Sequence, residues 1–423
     1  MVPWLALLAV VAGASAPLAR AVTCPSGVAS RGVSVQLLSA AGNAGDTAQS
    51  EISGVVVSSQ VVNGQNIVWV HSDSGSTPQI AAYGVKTRER LARLDFSKSA
   101  TGNKDYEDIA LGPCSGAAGA PSCIFVSGTG NNAARDAAGQ SGNNAGTIYR
   151  IREPSLPAII DVASPLLLDV TAELIPIKYD QPGVVAADCE TLMADANGDL
   201  YLTTKWNAAQ FALVRVFRIP AGAAANVQLT LKPLSSANSA LRGNTFTRGE
   251  ISRDGTLIVM GSTSKAFIWT RQPGQTVEQA LNAEPCFTLP TSSTAQHEAI
   301  TFGTSSSELF EVAEGANPSL FKIVLSGGDA GGTPAVPAPS VSAPTAAPAP
   351  VVPAPVAPTP VAPAPTVLAP ALGAVNNAGR GDPTLIAVGV GGLLLAAAAA
   401  GGLYVSRNRR RAALGQGELS LQA

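Results

Sequence analysis

Histidine is all but missing from this 423-residue chain, which has 2. That scarcity excludes a multi-histidine metal centre and leaves His71 and His297 as the ordinary neutral-pH bases. Charge is scarce too: Asp, Glu, Lys and Arg make up 13% of the residues, about half the usual share for soluble globular chains. Lys and Arg number 27 against 29 Asp and Glu, and basic residues cluster only at the extreme C-terminus, so a nucleic-acid partner is excluded. The chain carries no Gly-x-Ser-x-Gly elbow, no phosphate-cradling Gly-Lys loop and no His-Glu-x-x-His helix. Long helical periodicity is absent from residues 22–326, where short β-prone runs are separated by Gly, Ser, Asn and Asp.

The two ends speak of a membrane. Residues 5–12 are an uncharged apolar run, and Ala19-Arg20-Ala21 puts small residues at a cleavage-like spacing, so 1–21 reads as a secretory signal peptide. Within 384–405, residues 385–405 contain neither charge nor proline and are long enough to cross a bilayer as a helix. Arg407, Arg409, Arg410 and Arg411 follow, which makes 406–423 a short basic cytoplasmic tail by the positive-inside rule. Gly392, Ala396 and Ala400 line one face at four-residue spacing, the kind of face through which spanning helices dimerise. Between Pro334 and Pro370 stand 13 prolines, so 327–383 reads as an extended Pro/Ala-rich stalk. The expectation is a single-pass type I cell-membrane protein with residues 22–326 outside.

Those residues repeat. Each of five units opens on a glutamate (Glu51, Glu107, Glu190, Glu250, Glu298) and continues through three or four β-rich runs. Four-stranded units repeated around a ring predict an all-β, five- or six-bladed β-propeller, with part of a sixth blade able to hide between Glu107 and Glu190. Residues 33–38 are placed to supply the strand the last unit lacks and to close the ring.

Several stretches resemble a family of secreted or surface-anchored bacterial propellers, mostly of unassigned function. They are Trp69-Val-His71-Ser-Asp73, Asp105-Tyr-Glu107-Asp108, Ile148 to Pro154, Asp188-Cys-Glu190-Thr-Leu192, Asp199-Leu-Tyr201 and Thr204-Lys205. The family is similar in shape to phytase-like and lactonase-like propellers, and the resemblance implies a channel mouth that in some relatives holds calcium. Where the family usually reads Gly-Asp-Ile-Gly-Asp-Asn, this chain has Ser127-Gly-Thr-Gly-Asn131-Asn132 and lacks two carboxylates.

If the units superpose, Glu51, Glu107, Asp108, Glu190, Glu250 and Glu298 converge on the channel mouth, with Asp105 and Asp188 beside them. Converging carboxylates cannot all stay ionised unaided. Three solutions stand open: a hard cation such as Ca2+ held by Glu107, Asp108 and Glu190; ion pairs with Lys104, Lys205, Arg135 or Arg248; or hydrogen bonds to backbone N–H groups of neighbouring blades. Among the five cysteines, Cys114–Cys123 and Cys24–Cys286 are expected disulfides, and Cys189 a buried free thiol. The functional expectation is a surface module that binds or adheres to an extracellular protein or polysaccharide. The alternative is a membrane-tethered, calcium-dependent hydrolase of phosphoesters, esters or lactones acting at the channel mouth.

Overall fold

Alternation along a strand determines how this chain is built. In β2 (Ile52–Val62), Val55 and Val57 pack against Ala299, Phe310 and Val312, whereas Val56 packs against Ile109, Ile124 and Val126. Successive side chains leave opposite faces of a strand, so a strand buried on both faces must have a neighbour on each.

The computed structural model describes residues 21–37, 52–73, 78–100, 105–130, 145–180, 188–205, 214–234, 241, 244–262, 264–290, 297–313 and 318–327. Residues 1–20 of the leader, Glu51, Lys104, Arg135, the stalk beyond 327, the apolar run and the tail lie outside the described residues. Among the described residues no helix is long and apolar enough to cross a membrane.

Blade 1 is β2 with β3 (Gln65–Ser72), β4 (Gln79–Gly84) and β5 (Arg90–Asp95). Blade 2 is β6 (Ile109–Pro113), β7 (Ser122–Gly128), β8 (Ala145–Arg152) and β10 (Glu173–Tyr179). Blade 3 is β11 (Cys189–Ala194), β12 (Leu200–Thr204) and β13 (Val216–Ile219). Blade 4 comprises β15 (Arg248–Ile251), β16 (Leu257–Gly261), β17 (Lys265–Thr270) and β18 (Phe287–Pro290). Blade 5 comprises β19 (His297–Phe302), β20 (Glu308–Ala313), β21 (Ser319–Ser326) and the N-terminal β1 (Gly27–Gln36). The inner strands β2, β6, β11, β15 and β19 neighbour one another in that order, and β19 returns to β2. The chain is therefore a closed five-bladed β-propeller, with β1 antiparallel to β21 completing the last blade.

No sixth blade hides between Glu107 and Glu190 among the described residues. There, β9 (Leu166–Asp169) adds in parallel to the outer edge of blade 1, and β10 forms the fourth strand of blade 2. After blade 3, β14 (Leu229–Leu231) does not join that blade's sheet but lies parallel to β10 on the outside of blade 2. Both strands cover an edge that would otherwise present unpaired N–H and C=O groups.

Five apolar layers, one between each pair of adjacent blades, make up the core. One short helix, α1 (Val277–Leu281), caps the outside of blade 4; Thr276 and Gln279 form its capping box. Both expected disulfides are in place, Cys24–Cys286 and Cys114–Cys123, with Cα atoms 5.8 and 4.9 Å apart. Cys189 is the buried free thiol, its pKa raised by burial.

Candidate functional site

The inner strands all start at one end of the propeller, and the second strands finish there. That arrangement places the segment before β6, the start of β11, the residue after β3 and the residue after β12 around one opening. They deliver Asp105 and Glu107, Asp188 and Glu190, Asp73, and Lys205 respectively. Oxygens of Asp73, Asp105 and Glu107 lie within 4.8 Å of one another, as do those of Glu107, Asp188 and Glu190. Glu107 is thus shared by two groups of three carboxylates.

This crowding changes protonation. Burial first, then the charges of Glu190, Asp73, Asp188 and Asp105, push the Glu107 carboxyl well above the usual carboxylate range. Glu190 is raised by burial and by Asp188 and Glu298, against the pull of Lys205, whose Nζ donates to Glu190 Oε1. Burial works against the Lys205 ammonium, but Glu190, Asp188 and Glu107 hold its pKa above the ordinary lysine value. No hydrogen bond reaches the Glu107 carboxylate among the described residues, although the residue is only 6% exposed. Its backbone, in contrast, is well held: the N–H donates to Ser127 O, and Ser53 Oγ donates to the carbonyl.

Gly130 forms the wall beside these oxygens. A Cβ at that position would come 1.7 Å from Glu107 Oε1 and 2.7 Å from Asp105 Oδ2. The backbone approaches the carboxylates so closely that no side chain fits.

The remaining sequence candidates go elsewhere. Asp108 belongs to neither carboxylate group: Oδ2 accepts from Leu192 N of blade 3 at 2.9 Å, and Oδ1 from its neighbour Ile109 N at 2.8 Å. Burial still raises its pKa, against the amides of Leu192, Ile109 and Gly249. Glu250 sits deeper along β15, where its Oε2 accepts from the Phe302 amide and, at 2.7 Å, from Thr301 Oγ1 of blade 5. Burial pushes it up to about 7. Glu298 is half-buried at the start of β19 and is felt electrostatically by Glu190. Arg248 turns away from the mouth to pair with Glu311, 3.4 Å away and equally buried. The expected ring of equivalent carboxylates therefore divides into a cluster at the mouth and two hooks between blades. A one-residue step along a strand reverses the face, which is why neighbours such as Glu107 and Asp108 part company.

Asp73 joins the cluster without belonging to the glutamate repeat. The signal for it was its place just after β3, whose end lies at the same face as the starts of the inner strands. Neither histidine is placed as a base. Burial lowers His71 to about 4, against hydrogen bonding to the backbone of Ser72 and Asp108; its Nδ1 lies 3.1 Å from Ser72 O and its ring stands edge-on to Tyr106. His297 is fully buried against Phe321.

No family model matches the chain, and no curated protein does. Among solved structures, the chain is similar to the Neurospora crassa Pan2 WD40 domain at 10% identity and a TM-score of 0.26, over 64% of this chain and 62% of that one. The strand pairing of the chain itself makes it a five-bladed β-propeller.

Proposed function

We propose that this chain is a cell-surface binding module whose propeller presents its carboxylate-lined mouth to an extracellular protein or polysaccharide, with a calcium ion organising that mouth. The observation that carries the reading is the Glu107 carboxylate, buried, shared between two acidic groups and accepting no hydrogen bond among the described residues. The donors suit a hard cation: every one is a carboxylate oxygen, and calcium takes six to eight such ligands at 2.3–2.6 Å. The contact at Gly130 fits the same reading, because the site leaves no room for a side chain where the oxygens gather. Asp73, Asp105 and Glu107 would hold the ion on the side away from Lys205, whose ammonium already serves Glu190. When bound, the ion supplies the positive charge that lets these groups stay ionised together, and its open positions can take hydroxyl or carboxylate oxygens of a partner.

The proline-rich stalk of 327–383, the apolar run of 384–405 and the basic tail support a place on the outer surface, held away from the bilayer. That arrangement suits contact with another surface better than capture of a diffusing substrate. Histidine is poorly placed for catalysis at the mouth. His71 is enclosed, with its pKa lowered by burial to about 4, which makes it a weak base, and His297 is buried against Phe321.

Melting of the purified protein tests this. Binding to the native state alone stabilises it by roughly 2.7 kcal/mol at a hundredfold excess over the dissociation constant, a rise of a few degrees for a domain of this size. We expect calcium to produce that rise and a chelator to reverse it. Glu107→Gln and Gly130→Ala should each abolish the response. Melting indifferent to calcium and chelator would sink the cation, and metal-dependent turnover of phosphoesters or lactones would replace the binding module with a hydrolase.

A further inference from the structure

A cleft of about 580 Å3 between blades 3 and 4 is bordered by the turns that end their first strands, so it lies at the opposite end from the carboxylate mouth. Its charged lining is Asp195, Asp199, Asp254 and Glu278 against Arg218 and Arg271. Each guanidinium is already committed: Arg271 Nη1 lies 2.6 Å from Asp195 Oδ1, and Arg218 Nε lies 2.8 Å from Asp199 Oδ2. Two carboxylates remain in surplus. Asp195 Oδ2 is buried and accepts no hydrogen bond among the described residues.

Val22 lies in the wall of this cleft, and it is held there from three sides. Its N–H donates to Gln272 Oε1 at 2.9 Å, and its carbonyl accepts from Gln272 Nε2 at 3.0 Å. Its side chain packs on the apolar layer between blades 4 and 5. Two residues on, Cys24 is bonded to Cys286. The preceding residue, Ala21, is exposed, and the small-residue pattern places leader removal at the bond between them.

We propose that removal of the leader creates a cation for this cleft: the α-ammonium of Val22, seated on Gln272 and facing the acidic surplus. The inference rests on the reading of 1–21 as a signal peptide. Hydrolysis by a signal peptidase adds one water across the Ala21–Val22 bond and yields the Ala21 carboxylate and the Val22 amine, which takes up a proton from solvent. The new group keeps its donation to Gln272 Oε1 and gains two further N–H donors in a cleft whose charge is acidic on balance, although Asp254 Oδ1 already accepts from Ser252 Oγ and from Thr256 N and Oγ1. Opposite charge nearby raises the pKa of an amine above its ordinary value of about 7.7–8.0. The stabilisation is therefore complete below that value and is lost as the pH rises through the higher folded one.

The test uses the mature protein, its apolar run retained, extracted from the membranes of cells that export it. N-terminal sequencing should begin at Val22. Trace acetylation with acetic anhydride across pH, read by mass spectrometry of the N-terminal peptide, should then give an α-amine pKa above 8. At neutral pH labelling should be about tenfold slower than in the unfolded chain, the effect of one pKa unit. Gln272→Ala should speed labelling, and Gln272→Glu, which places a carboxylate on the nitrogen, should slow it further. A start at any other residue defeats the leader reading and the proposal with it. A Val22 start whose amine reacts as fast as in the unfolded chain, or ignores both substitutions, leaves the leader reading intact and overturns the seat.

Discussion

At the scale of single residues, the chain solves one electrostatic problem in two ways. Lys205 neutralises Glu190, Asp108 and Glu250 take backbone amides from neighbouring blades, and Glu107 has neither among the described residues. Glu250 gives the clearest pH signature. Its folded pKa of about 7 exceeds the ordinary value of 4.5, so the folded state holds its proton more tightly than the unfolded chain does. Its stability is greatest below the ordinary value and is lost as the pH rises through about 7, a loss on the order of 3 kcal/mol. An amide keeps an oxygen for Phe302 N–H but cannot ionise. Denaturant unfolding of Glu250→Gln should therefore come closest to the parent below about pH 4 and exceed it by a few kcal/mol at pH 8. Equal differences at both pH values would mean that Glu250 is ionised with ease where it lies.

At the scale of elements, blades are joined by more than apolar layers. The segment after β8 braces blade 1: Glu153 Oε1 accepts from Trp69 Nε1 at 3.0 Å, Ser58 Oγ at 2.5 Å and Gln60 Nε2 at 2.9 Å. Asn63 then exchanges two hydrogen bonds with the backbone of Ile160. Blades 4 and 5 are joined by the Arg248–Glu311 pair, in which both side chains are almost completely enclosed. Burial lowers Arg248 to about 10 and raises Glu311, each opposed by the charge of the other. Leaving one such charge alone costs about 3–5 kcal/mol, whereas replacing both by apolar groups of similar volume is often neutral. Glu311→Leu should therefore lower stability by that amount, and Arg248→Met with Glu311→Leu should recover most of it. A double variant as unstable as the sum of the singles would show no coupling between the two.

At the scale of the whole molecule, β1 is the last strand of the ring and the first of the chain. Pairing it with β21 joins residues about 300 apart in sequence and leaves the closing blade dependent on the N-terminal segment. The Cys24–Cys286 bond reinforces this closure across a sequence separation of 262. The arginines after the apolar run predict a C-terminus inside the cell. A tag after Ala423 should therefore resist protease in intact cells, and a tag at Val22 should be cleaved; the reverse pattern would overturn the orientation.

By itself the sequence determined the class of fold, because strand alternation and turn residues at regular intervals are local properties of the chain. It also pointed to both cysteine pairings, and to the N-terminal closure because the last unit lacked a strand, although the strand that closes the ring is Gly27–Gln36 rather than 33–38. Position in the repeat could not determine which carboxylates meet. Glu107 and Asp108 are adjacent in sequence, yet one faces Asp105 and Glu190 while the other crosses to Leu192 N. Asp73 lies outside the repeat altogether and still reaches the cluster. Residues 166–169 and 229–231 are ordinary β-prone runs, and only the available sheet edges assigned them to the outsides of blades 1 and 2. Side-chain direction and edge pairing depend on what the neighbouring blade presents, and a blade acquires its neighbours only when the ring closes.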